Sequence, residues 1–193
     1  VKANGEIKMT IAPETIARLE DMLAKQDIYE CLVRQSRGTD RSDKALFLSG
    51  FHQDSVVTAG PFVGSPADLF DWAAKFQAEM YTATCHQLHQ MSCEIDGDLA
   101  HTETYYLFIG CLAGGETNLL AGGRYIDRFE RREGRWGMVM RNNFVEWTST
   151  LPAIGSPLGE IPGLELNGMP ARDSSDASYI RPLVNNRALF NPG

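Results

Sequence analysis

Residues 122–147 read GGRYIDRFERREGRWGMVMRNNFVEW, and this stretch decides the fold. It forms two long β-strands folded on a turn near Glu133-Gly134. On the first strand Tyr125, Asp127 and Phe129 share one face and Ile126 and Arg128 the other. On the return strand Met138 and Met140 fall on one side, and Val139, Arg141 and Asn143 on the other. Period-2 alternation of this length, rich in aromatics and flanked by glycine, predicts antiparallel sheet. Glu-Gly is a weaker turn than Asn-Gly, so a two-residue loop and a bulged three-residue loop are both open. A slip of one residue would change the pairing, so the sequence assigns no cross-strand pairs. A buried guanidinium needs a partner. Arg141 therefore calls for explanation, either as an edge arginine bonded to a neighbouring carboxylate or as a functional group.

Outward from the hairpin, 193 residues suffice for one domain with a proper core. The net charge of −7, with no basic run beyond Arg131-Arg132, argues against nucleic acid and anionic membrane as partners. No apolar segment approaches the roughly 20 residues that span a bilayer and no signal-peptide pattern opens the chain, so the expected location is cytoplasmic. Cys31, Cys85, Cys93 and Cys111 lack metal or redox spacing and read as reduced thiols.

Upstream of the hairpin, residues 1–9 are polar and read as loose. Ile16, Leu19, Met22 and Leu23 have helical spacing. A second helix is predicted from Asp27, carrying Ile28, Cys31, Leu32 and Gln35 and ending near Gly38, either separate or as the bent continuation of the first. A short helix follows from Ser42 through Phe47, with Ser42 as its cap, and a brief β signal lies in residues 51–59. Ser65-Pro66-Ala67-Asp68 is a capping box, opening a helix predicted to bury Leu69, Trp72, Ala73, Phe76 and Met80. From Cys85 the period becomes two: a strand over 86–95, a turn at Asp96-Gly97, and a strand over 99–111. Helices followed by a meander give the α+β class, a sheet curling over its helices. Beyond Leu151 come six of the nine prolines without periodicity. Residues 1–150 are therefore expected to form the domain and 151–193 an extended tail, docked through Tyr179, Ile180, Leu183 and Phe190.

The residues that could carry chemistry are Asp40, His86 and Arg141. A histidine held by a carboxylate is a general base of fixed tautomer, and a nearby guanidinium stabilises developing negative charge. Singly, each has a plainer reading: a helix-end aspartate, a half-buried strand histidine, a salt-bridge arginine. His86 and His89 lie three apart on a strand and face opposite sides, so no metal site is expected. The glycines at 114–115 and 122–123 do not form a nucleotide-binding turn, and no GxSxG motif is present. Cys85 points away from His86, so it is not read as a nucleophile.

In order, the segments RGTDRSD (37–43), FHQDSVV (51–57), TCHQL (84–88), DGDLA (96–100), GRYIDRF (123–129) and Arg135-Trp136 resemble the SnoaL-like branch of the nuclear transport factor 2-like superfamily. The likeness covers roughly residues 11–147. It implies a cone-shaped α+β barrel, a curved antiparallel sheet over three helices enclosing one deep apolar pocket. Members of that superfamily include dehydratases, a dehydrochlorinase, cyclases, an isomerase and formaldehyde-releasing lyases. By the resemblance, Asp40 and His86 would take the substrate proton and Arg141 would assist. Five residues before the aspartate, where dehydratases often carry Tyr and the dehydrochlorinase Lys, this chain has Gln35. Leaving-group assistance is thus unassigned, with Tyr29, Tyr125 and Arg141 as substitutes.

Together these readings predict a lyase without a cofactor, eliminating water, halide or formaldehyde from an apolar ring-containing molecule. Gln35, Tyr29, Tyr125, Trp72, Phe76 and Asn143 are expected to line its pocket. The second reading is a double-bond isomerase or cyclase using the same base, and the third a binding protein or oxygenase-associated subunit. A homo-oligomer, dimer or trimer, is expected.

Overall fold

The computed structural model describes residues 11–153, 161–168 and 170–188; the N-terminal segment 1–9 and Phe190 lie outside them. The long hairpin forms as its alternation requires. In chain order the strands are β1 (Phe51–Ala59), β2 (Phe62–Gly64), β3 (Tyr81–Asp96), β4 (Leu99–Leu112), β5 (Thr117–Arg132) and β6 (Arg135–Pro152). β5 and β6 pair antiparallel down to Arg132 opposite Arg135. The loop has two residues, Glu133 and Gly134, with φ of 52° and 78°, the left-handed backbone that a tight hairpin turn needs to follow the strand twist.

On β5 the expected face is buried: Tyr125, Asp127 and Phe129 are all interior. β6 departs from strict alternation, because Val139 and Glu146 have no partner in the register. Each is a β-bulge, an extra residue that bends the strand and re-aims the side chains beyond it. Phe129 faces Met138, but Arg128 faces Met140 and Asp127 faces Arg141. Met138 and Arg141 are therefore both interior, whereas Met140 is 39% exposed. Met138 and Met140 do not share a face, contrary to the simple period.

The sheet order is β2-β1-β6-β5-β4-β3. It is antiparallel except at one place, since β1 runs parallel to β6. No turn links those two strands, so hairpin geometry does not fix their direction. The sheet is curved but not closed: β2 and β3 are its edges, and helix α3 (Pro66–Met80) carries the chain from one to the other.

Helix α1 (Pro13–Asp40) is one unbroken helix, not two. Its buried stripe, Ala24, Ile28, Cys31, Leu32 and Gln35, has the three-and-four spacing of an amphipathic helix. Gly38 does not stop it. A Cβ there would lie 2.5 Å from the Phe47 backbone nitrogen, so this glycine serves close packing against helix α2 (Lys44–Leu48). Asp40 thereby becomes the last helical residue. α2 is capped by Asp43, whose Oδ1 accepts from the Leu46 amide at 2.9 Å; Ser42, the expected cap, sits at φ 50° in the turn.

The core joins Ile28 and Leu32 of α1 to Phe47, Phe51, Val57, Phe129, Trp136 and Met138. The capping box of α3 forms, Ser65 Oγ accepting from the Asp68 amide at 3.2 Å. Of this helix Pro66 and Leu69 are buried. Trp72 and Phe76, expected in the core, are 49% and 50% exposed, because α3 lies over the open seam and has no layer beyond it. The tail returns to the ends of α1 and α3 through Arg172, Asp176 and Tyr179, while Ile180 and Leu183, two of its expected anchors, stay exposed on this chain. No helix of the described residues is long and apolar enough to cross a membrane.

Candidate active site

Because α1 runs on past Gly38, its last residue meets β3. Asp40 grips His86 at two points: Oδ1 lies 2.7 Å from ring Nδ1 and Oδ2 accepts from the His86 backbone amide at 2.9 Å. An ionised carboxylate only accepts hydrogen bonds, so in a neutral imidazole here Nδ1 carries the proton and Nε2 is the basic nitrogen. The other side of the ring rests on Phe108, its partner across β4, with centroids 4.8 Å apart. Asp40 is 9% exposed, so water competes little for the pair.

His86 lines a cavity of about 410 Å³, the size of a small-ligand site. Its walls come from every layer of the fold: Gln35 of α1, Phe70, Trp72 and Phe76 of α3, Tyr106 and Phe108 of β4, Tyr125 of β5, and Arg141 and Asn143 of β6. Trp72 and Phe76 are thus wall residues rather than core.

Arg141 is 2% exposed and fully engaged. Its Nε and one terminal nitrogen donate to Asp127 at 2.7 and 2.6 Å, the other terminal nitrogen donates to Gln35 Oε1, and the guanidinium lies 3.8 Å from the centre of the Tyr125 ring. Burial pushes the Asp127 carboxyl up from its ordinary range, and the facing guanidinium pulls it back. The pair is a neutralised buried ion pair, not a free cation facing the cavity. A guanidinium has no acceptor, so Gln35 must turn its carbonyl to Arg141, which leaves its NH₂ for the cavity. Asn143 Oδ1 likewise accepts from Tyr106 at 2.9 Å, leaving its amide hydrogens uncommitted among the described residues. The Tyr106 and Tyr125 rings stack at 4.3 Å, and burial raises both phenols. They stay protonated and face the site as hydroxyls, not phenolates.

The sequence-predicted residues Asp40, His86, Arg141, Gln35, Tyr125, Trp72, Phe76 and Asn143 converge on this site. Tyr29 does not. It lines a smaller hollow of about 260 Å³ behind the Asp40–His86 pair, with Val33, Arg37, Arg41 and Leu88. Sequence reasoning missed Tyr106 and Phe108, whose alternation on β4 is visible but whose inward face depends on register. It also left Asp127 without its role as partner of Arg141, for the same reason. His89 is exposed, and among the described residues no group of three or more His, Cys, Asp or Glu side chains could hold a metal ion.

A half-open sheet over one long helix, with a carboxylate–histidine pair at the wall of an apolar cavity, defines a small α+β pocket protein. The SnoaL-like domain matches residues 20–142, and the chain belongs to that family. Among solved structures it is similar to a type 2 hexachlorocyclohexane dehydrochlorinase (LinA), at 25% identity and TM-score 0.63, over 78% of this chain and 99% of the other. A type 3 LinA from Novosphingobium barchaimii is 22% identical with TM-score 0.63, over 74% and 97%. An NTF2-like protein with a cystatin-like fold from Novosphingobium aromaticivorans is 19% identical with TM-score 0.60, over 72% and 92%. Comparison with curated proteins finds no match.

Proposed function

We propose that this protein is a lyase that eliminates a small leaving group from an uncharged, ring-containing apolar molecule, using its own side chains as base and hydrogen-bond donors. The observation that carries this reading is the two-point clamp of Asp40 on His86, a residue of the cavity wall; with Nδ1 held by Asp40, Nε2 is the nitrogen left to act as the base. His86 takes a proton from carbon, and the electrons of that C–H bond form the new double bond. The leaving group departs from the adjacent carbon with its own bonding pair. Asp40 stabilises the imidazolium that results.

Leaving-group assistance falls to Gln35, whose NH₂ is turned to the cavity by Arg141. Arg141 itself acts through that amide and not as a free cation. With Arg141 matched by Asp127, the cavity offers no unpaired positive charge among its wall residues to a carboxylate, so a neutral substrate fits it better. The dehydrochlorinase names of two similar structures agree with elimination, with water, halide or formaldehyde as candidate leaving groups.

The test is turnover on a panel of aromatic, diaryl and steroid-like alcohols, halides and hydroxymethyl compounds, with products identified. Release of the leaving group with a new double bond supports the lyase. A shifted double bond and no release would make the protein an isomerase, and binding without conversion a carrier.

The outer end of β6 keeps Phe144, Trp147 and Leu151 half-exposed on one face, a surface that a second copy would cover. A homo-oligomer is the proposed assembly, and light scattering that finds only monomer at micromolar concentration contradicts it.

A further inference from the structure

The tail segment 171–179 lies outside the part of the chain that matches the family, yet it touches both sides of the cavity mouth. At one end Arg172 reaches helix α3. Its guanidinium donates to the Gln77 carbonyl at 3.2 Å, the Tyr81 carbonyl at 3.3 Å and Gln77 Oε1 at 3.0 Å. The Gln77 carbonyl belongs to the last turn of α3, where it also accepts from the Tyr81 amide and where the helix dipole favours a cation. Arg172 thus adds a cation and three hydrogen bonds to the C-terminal end of α3, whose C-cap residue is Tyr81.

At the other end the segment folds into a hook on the last turn of α1. Asp176 accepts from the amides of Ala171 and Ser178 at 3.0 Å each and pairs with Arg41 at 3.4 Å. Those backbone bonds hold its carboxyl well below the usual range. Arg37 donates to the Ser178 carbonyl at 3.1 Å and lies over the Tyr179 ring, and the Tyr179 hydroxyl donates to Asp43 at 2.8 Å. The Leu46 amide and this hydroxyl together lower the Asp43 carboxyl. Arg37, Arg41 and Asp43 flank Asp40 in sequence.

Besides Arg172, the end of α3 is held by the Ala113 amide, which donates to the Met80 carbonyl at 2.9 Å, and by its direct run into β3. The buried residues of α3, Pro66 and Leu69, are in the first turn, while Trp72, Ala73, Phe76 and Gln77 form the cavity wall. We propose that Arg172 is a positioning residue for that wall: the strap 171–179 ties the C-terminal half of α3 to the Asp40 end of α1 and so sets the width of the ligand cavity. The inference rests on the cavity being a ligand site, but not on which reaction occurs there.

The test uses the full chain with Arg172→Met, which keeps length and removes charge and donors, and Arg172→Lys, which restores the charge. Hydrogen–deuterium exchange is read by segment. In Arg172→Met the second half of α3 should exchange at least tenfold faster, while the core of α1, β5 and β6 is unchanged; Arg172→Lys should lie between. Tyr179→Phe, which releases only the Asp43 bond at the far end, should speed α3 exchange in the same direction. Panel compounds should bind several-fold more weakly to Arg172→Met, and where one is turned over the change should fall on KM rather than kcat. Unchanged α3 exchange in Arg172→Met overturns the proposal, as does faster exchange spread equally over the core. Faster α3 exchange with no panel compound binding leaves the strap standing and sinks the ligand-site reading instead.

Discussion

His86→Gln should lower turnover by roughly 10²–10⁴, the range that a positioned general base contributes, and should leave ligand affinity within a few-fold. Glutamine preserves polarity and approximate size but cannot accept a proton from carbon. Asp40→Asn should be comparably severe, for a reason visible in the clamp. Asp40 now accepts from Nδ1 with one oxygen and from the His86 backbone amide with the other. An asparagine has one acceptor and one donor group. If its oxygen keeps the backbone amide, its NH₂ faces Nδ1, and the ring adopts the tautomer with the proton on Nε2. The base is then capped at the atom that has to act. Since the two residues work as a unit, the double variant should be scarcely slower than either single one. Steady-state kinetics beside calorimetric binding checks all of this, and parallel melting curves show whether folding is preserved.

Phe129→Ala should cost about 3–5 kcal/mol, the usual range for removing a buried aromatic ring. Phe129 is fully buried, on the β5 face that continues from Tyr125 and Asp127, with Met138 opposite it across β6 and Ala100 across β4. Two strands and α1 enclose it, so neighbouring backbone cannot collapse into the space without breaking strand pairs. The loss should appear as a lower denaturant midpoint with an unchanged m-value. Exchange of Phe129 for leucine should cost less, because most of the volume remains. A loss below about 1 kcal/mol in Phe129→Ala would mean that the hairpin is not the core element described.

Much of the fold is legible in the chain because its signals are local. The alternation of residues 122–147, the capping box at Ser65, and the Asp96-Gly97 turn each act within a few residues, and all three appear where expected. What the sequence conceals depends on register or on distant partners. A bulge such as Val139 leaves no mark in a period-2 pattern, yet it sends Met140 out and Arg141 in. Gly38 reads as a helix stop, but its purpose is the approach of Phe47, nine residues on. The parallel pairing of β1 with β6 has no turn to announce it. The site divides in the same way. Asp40 and His86 stand in recognisable motifs, and the fold brings them together. The Asp127–Arg141–Gln35 chain needed the register, and the donor role proposed for Gln35 follows only from it. The bonds of Arg172 to the end of α3 were out of reach because a contact arriving from the tail obeys no local spacing rule.

The most direct test of the base assigned to His86 is isotopic. A panel compound that is turned over is prepared with deuterium at its acidic carbon and followed in single-turnover experiments in ordinary water. The account predicts one of two results in the wild type: a primary kinetic isotope effect, if proton removal limits the step, or washout of deuterium to solvent, if removal is fast and reversible. Both should vanish with activity in His86→Gln. Conversion that shows neither slowing nor washout, or that proceeds undiminished without His86, would contradict proton abstraction by this histidine.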